Sequence, residues 1–145
     1  MSKKPRLRTV EKSLPPFPLN EFPKEFPFIL GKELVYLLAS KGKAILEGSE
    51  FEAIFATCIG AEWKPSNVGL DDIIFGNTAW GAKTVKATNP ATQKKVRLIS
   101  GRNSPVYSFG ETIDTHHDPN AVGQSVLEIW NERVSAVREK FQNLR

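Results

Sequence analysis

The chain of 145 residues has a single cysteine, Cys58, so it can form no internal disulfide and no cysteine-rich zinc site. No apolar run approaches the ~20 residues that span a bilayer. The basic opening, Met1 to Lys12, leads into no apolar stretch, so it does not read as a secretory signal. A cytoplasmic location is therefore expected. There is no glycine-rich phosphate loop. No serine or cysteine stands in a nucleophile elbow or a recognisable pairing with histidine. Acidic residues are missing from one long stretch. Between Asp72 and Glu111 there is none, while Lys83, Lys86, Lys94, Lys95, Arg97 and Arg102 all fall there.

What is present suits one globular domain, or a fragment of a larger one, with 40% hydrophobic and 25% charged residues. A net charge of +4 fits a polyanionic partner without demanding one. Residues 1–27 hold six of the ten prolines and should form an extended or irregular basic arm. Its first half is expected to be a solvated tail. Its second half carries Phe17, Phe22 and Phe26, and phenylalanine at that density should pack on the remainder, residues 28–145.

The spacing predicts a short helix over residues 31–40 and a stronger one over 49–60. Ser49 is the expected cap of the second helix, Glu52 stands at the capping-box position, and Gly60 can end it. Phe51, Ile54, Phe55, Cys58 and Ile59 make its apolar face. Glu52 lies at the margin of that face, either as a cap or aimed toward a neighbouring strand. Strands are expected at Leu70–Phe75, Thr78–Ala87 and Lys95–Ser100, with a fourth at Val106–Phe109. Gly76-Asn77 reads as a hairpin turn between the first two. A long helix, about Ala121 to Phe141, closes the chain. The fold class expected is α+β, a mixed sheet built on an antiparallel meander and flanked by helices.

On the second expected strand, alternation puts Gly81, Lys83 and Val85 on one side. The hairpin brings Asp71 or Asp72 beside that side. A carboxylate next to an ammonium at the edge of a basic surface suits metal-assisted phosphodiester hydrolysis. The carboxylate would hold Mg²⁺, and the lysine would orient water or stabilise the pentacovalent transition state.

In this order, the Gly48-Ser49-Glu50-Phe51-Glu52 helix, Asp71-Asp72-Ile73-Ile74 and Gly81-Ala82-Lys83 resemble the PD-(D/E)XK nuclease superfamily. Type II restriction endonucleases are its nearest representatives. The resemblance spans about residues 46–140. It implies that Glu52 is the helix acid, Asp72 the metal ligand with Asp71 as its alternative, and Lys83 the catalytic lysine. It further implies Mg²⁺ as cofactor and double-stranded DNA as substrate. Gly81 departs from the pattern, because the family has an acid two residues before the lysine. A helix can supply that acid instead, which makes Glu128, or Glu132, the candidate metal ligand. The helical wheel sets Glu128 nearly opposite the apolar face of Val122, Val126, Ile129, Val134 and Val137. Restriction enzymes are usually longer and add strands after the last helix. The resemblance thus implies a truncated or split enzyme, a homodimer, or one completed by a partner chain.

Lys86, Lys94, Lys95, Arg97, Arg102 and Asn103 are the expected nucleic-acid contacts. Gly101 and Asn103 serve equally as plain turn formers. His116 and His117 are adjacent and point apart in an extended chain, so they read as a solvated loop. The expected function is a Mg²⁺-dependent DNA endonuclease of a restriction system. The alternatives are a non-catalytic nucleic-acid-binding protein on the same scaffold, and a structural or assembly protein.

Overall fold

The computed structural model describes residues 4–7, 9–65, 70–95 and 118–145. Arg97, Arg102, Asn103, His116 and His117, the strand expected over 106–109, and all but Lys95 of the strand expected over 95–100 lie outside those residues. Within them the chain is an α+β protein with three helices and a five-stranded mixed, mostly antiparallel sheet. None of its helices is long and apolar enough to cross a membrane.

Helix α1 runs from Phe26 to Lys41, starting earlier than the apolar periodicity suggests. Pro27 explains the early start. Its missing N–H falls in the first turn, where the helix has no internal acceptor for it, and its fixed φ suits the helix. Gly42 ends α1 in the left-handed conformation, at φ 63°. Helix α2 runs from Gly48 to Ile59 and buries Ile54, Ala56, Cys58 and Ile59. Its cap differs from the expected one. Glu47, not Ser49, is the N-cap, and Glu50 accepts the Glu47 N–H at 2.8 Å. Lys41 fixes Glu50 from outside, with Nζ at 2.8 and 2.7 Å from its two oxygens. This ammonium beside it, followed by the Glu47 N–H, holds the Glu50 carboxyl below its ordinary value. Glu52 therefore takes no part in the cap.

The strands are β1 (Val10–Glu11), β2 (Glu62–Trp63), β3 (Ile73–Phe75), β4 (Thr78–Trp80) and β5 (Asn143–Leu144). They stand in the order β1-β5-β4-β3-β2, with β4 and β5 parallel and the other pairs antiparallel. The Gly76-Asn77 turn joins β3 to β4 with Phe75 opposite Thr78. Gly76 has φ 57°, as the first central residue of a type II′ turn requires. The strand expected over 78–87 is shorter than that. The ladder to β5 reaches the Gly81 N–H to Arg145 carbonyl bond at 3.0 Å, and residues 81–87 lie outside the sheet.

Helix α3 (Pro119–Lys140) is capped by Asp118, which accepts from Asn120 N–H at 2.9 Å. It carries the chain back so that β5 can lie parallel to β4. Its Trp130, Val134 and Val137 close one face of the sheet over Leu70, Ala79 and Leu144. The opposite face is closed by Ala56 and Ile59 of α2 over Ile73 and Trp80.

The proline-rich arm is built into this body. Phe22 stacks on Phe26 at 4.5 Å and meets Phe55 edge-on, and Phe17 packs on Phe75. Its first half is exposed, as expected of a solvated tail, and is also tethered to the body. The Arg6 carbonyl accepts the Trp130 indole N–H at 2.8 Å, and the Arg6 N–H donates to Asn131 at 2.7 Å. Buried Asn143 ties the arm to the sheet. Its Oδ1 accepts from the N–H groups of Lys12 and Ser13, and its Nδ2 donates to Thr78 Oγ1 at 3.0 Å. These bonds satisfy a polar side chain that would otherwise be costly to bury.

Candidate active site

Two charged side chains, Asp72 and Lys83, meet beside the α2 face, and a third, Glu52, lies within electrostatic reach of them. Asp72 immediately precedes β3, and its carbonyl accepts the Lys64 N–H at 2.8 Å, which extends the β2–β3 ladder by one step. Asp72 is buried, its side chain only 5% exposed. Lys83 follows β4 by three residues and sets its Nζ 3.7 Å from Asp72 Oδ2. One step beyond the Ile73–Trp80 pair, the register puts Asp72 opposite Gly81. Gly81 has no side chain, and Lys83 reaches the carboxylate from two residues further on.

Glu52 completes the group from α2. It is half-buried, and its Oε2 accepts the Trp63 indole N–H at 3.3 Å. Burial pushes the Glu52 carboxyl above its ordinary value, and the charge of Asp72 adds to the shift. The Trp63 N–H and the Lys83 ammonium act in the opposite sense. Glu52 thus lies within electrostatic reach of both Asp72 and Lys83. Two carboxylates sharing a partly dry site favour a cation between them.

The other expected site residues lie elsewhere. Asp71 is buried, and its Oδ1 finds no hydrogen-bond donor. Glu128 is exposed on α3, on the side away from Trp130, Val134 and Val137. Among the described residues no three His, Cys, Asp or Glu side chains gather in a metal-holding group. Lys86 is exposed and lines a groove of about 390 Å³ that also takes in Lys83, Thr84 and the start of α2. A Cβ on Gly48 would meet Thr84 Oγ1 at 3.4 Å, so α2 approaches the 83–86 segment closely there. Lys94 and Lys95 are exposed just after a 3₁₀ turn at Pro90–Thr92.

Sequence reasoning missed Trp63. A lone tryptophan in a two-residue strand has no periodicity to mark it, and its partner Glu52 lies on a different element.

The residues present fit Mg²⁺. Glu52 and Asp72 offer hard carboxylate oxygens, and Mg²⁺ is commonly held by one or two carboxylates, with phosphate and water supplying the rest. No protein-family model, curated protein or solved structure matches this chain.

Proposed function

We propose that this chain is a Mg²⁺-dependent DNA endonuclease, or the catalytic part of one, with a core of the PD-(D/E)XK type and a place in a restriction system. The observation that carries the reading is the approach of Lys83 to Asp72 at 3.7 Å, with Glu52 under the influence of both. Asp72 and Glu52 are the residues that would hold Mg²⁺, which when bound supplies an activated water and offsets charge on the scissile phosphate. Asp72 also anchors Lys83. The Lys83 ammonium then faces the reacting phosphate, orienting the attacking water and stabilising the charge that builds on the phosphoryl oxygens. Lys86, Lys94 and Lys95 hold the backbone of double-stranded DNA on either side. A second copy or a partner chain completes the DNA-binding surface.

Gly81 and the low exposure of Asp72 favour a second reading. The Asp72–Lys83 pair is then a structural ion pair in a non-catalytic nucleic-acid-binding protein. Plasmid cleavage in Mg²⁺ and in EDTA separates the two. The nuclease reading expects cleavage that EDTA abolishes and that Lys83→Ala lowers by about 10²–10³-fold. Cleavage surviving EDTA, or unchanged in Lys83→Ala, rules it out. DNA binding without cleavage, indifferent to Asp72→Ala, supports the second reading.

A further inference from the structure

Glu52 has three rotatable side-chain bonds and sits at the exposed margin of α2. A free glutamate there would extend into water, away from the negative charge of Asp72. Instead, among the described residues its side chain accepts a hydrogen bond from the Trp63 indole, at 3.3 Å to Oε2. Trp63 is in turn fixed by the sheet. It stands opposite Ile73 in the β2–β3 register, and the next residue, Lys64, donates its N–H to the Asp72 carbonyl at 2.8 Å. The strand pair that presents Asp72 therefore also presents the donor that holds Glu52. At 41% exposure Trp63 buries too little surface to rank with the core tryptophans, Trp80 at 8% and Trp130 at 7%.

We infer that Trp63 is a positioning residue, whose indole N–H keeps the Glu52 carboxylate turned toward the Asp72–Lys83 pair so that Glu52 serves as the second carboxylate of a divalent-cation site. The inference rests on the nuclease reading but concerns cation binding, which can be measured without any cleavage. A donor that orients a ligand carboxylate typically controls metal affinity by ~10–100-fold. Trp63 also gives that site a spectroscopic reporter, because the indole proton lies on the bond to the ligand itself.

The test is a Mg²⁺ titration of the full chain, labelled with ¹⁵N and free of DNA. Three indole N–H signals are expected, from Trp63, Trp80 and Trp130. Trp63→Phe deletes one signal and so assigns it. Mg²⁺ should move the Trp63 indole and the Asp72 amide together and leave Trp80 and Trp130 in place. Trp63→Phe should weaken Mg²⁺, read from the Asp72 amide, by about tenfold. In a Glu52→Gln background, Trp63→Phe should weaken it no further, because nothing remains for the indole to position. A tryptophan that merely supports the fold would weaken binding equally in both backgrounds, which overturns the inference. Mg²⁺ moving the Asp72 amide with equal affinity in wild type and Trp63→Phe overturns the inference and leaves the nuclease reading standing. No effect of Mg²⁺ at Asp72 removes both. If Trp63→Phe fails to fold, the Trp63 indole is assigned in the wild type by triple-resonance spectra and indole-to-neighbour NOEs, and a Trp63 signal that stays still while the Asp72 amide moves overturns the inference.

Discussion

The two faces of the sheet are both closed by apolar side chains, yet only the α2 face borders the cluster of Asp72, Lys83 and Glu52. On the α3 face, Leu70, Ala79 and Leu144 meet Trp130, Val134 and Val137, with Val10 and Phe141 packed around them. On the α2 face, Ile73 and Trp80 meet Ala56 and Ile59, and the phenylalanines of the arm seal one side. Beside that second core Asp72, Lys83 and Glu52 take over. Charged groups are tolerated there because the sheet is short. β3 and β4 pair over three residues, so the chain just beyond them is near the protein boundary while still held by the ladder. A functional group needs both conditions, a rigid backbone and access to water, and the ends of these strands offer both.

If the faces are separable in this way, damage to the α3 face should cost stability and spare the site. Leu144 is fully buried between β4 and α3, and Leu144→Ala should destabilise the fold by about 2–5 kcal/mol in urea denaturation. Mg²⁺ affinity of the folded fraction should be unchanged. A parallel loss of affinity would show that the two faces act as one unit. Asn143→Ala should cost less, about 1–3 kcal/mol, by removing the partner of Thr78 and of the Lys12 and Ser13 N–H groups. The same denaturation curve measures it. Because the Asn143 side chain is one of the ties between the arm and the sheet, proteolysis should then cut first within the arm.

The approach of Asp72 and Lys83 was more legible in the sequence than the sheet that holds them. Gly76-Asn77 between two apolar runs marks the β3–β4 hairpin, and the acid-free basic stretch after Asp72 draws attention to Lys83. Both signals are local, and local chemistry is what a sequence displays. Strands β1 and β5 are two residues each and pair across more than 130 positions, Val10 with Leu144, so neither has a period to detect. The cap of α2 was misplaced for a related reason. Ser49 is the better N-cap by residue type, but Lys41, from the end of α1, holds Glu50 at N3 and so favours Glu47. Tertiary contact outweighed the intrinsic preference.

Glu50 and Glu52 sharpen the comparison within one helix, because their environments oppose each other. Lys41 and the Glu47 N–H favour the charged form of Glu50, so Glu50→Gln should lower the melting temperature at neutral pH. Burial and Asp72 disfavour the charged form of Glu52, so Glu52→Gln should raise it in the absence of divalent cation. Each change should be smaller than that of Leu144→Ala, since both carboxylates keep contact with water. Calorimetric melts of the two variants beside wild type read the signs. Equal signs would mean that the Glu52 carboxylate carries no electrostatic strain, and that the site is no more than a surface ion cluster.

The smallest expected effect concerns the layer outside the α2 face. Helix α1 packs on α2, yet none of its 16 residues is buried, and Phe28, Val35 and Tyr36 remain exposed. α2, by contrast, buries four of twelve. A helix that buries so little should open at a lower free energy than the sheet cores, as a separate cooperative unit. Cys58 reports that opening. It is 5% exposed on α2, and burial, with a contribution from Glu33 of α1, pushes its thiol above the ordinary value of 9.0. In the closed state it should react negligibly with a thiol reagent at neutral pH, because the thiolate is the reacting form. Reaction should therefore proceed through release of α1, with a weaker dependence on urea than global unfolding shows. Leu144→Ala lowers global stability without touching α1, so it should leave the labelling rate nearly unchanged. A labelling rate that instead tracks global unfolding in both proteins would mean that α1 and the α2 face open together, and that the boundary between them is as firm as the sheet itself.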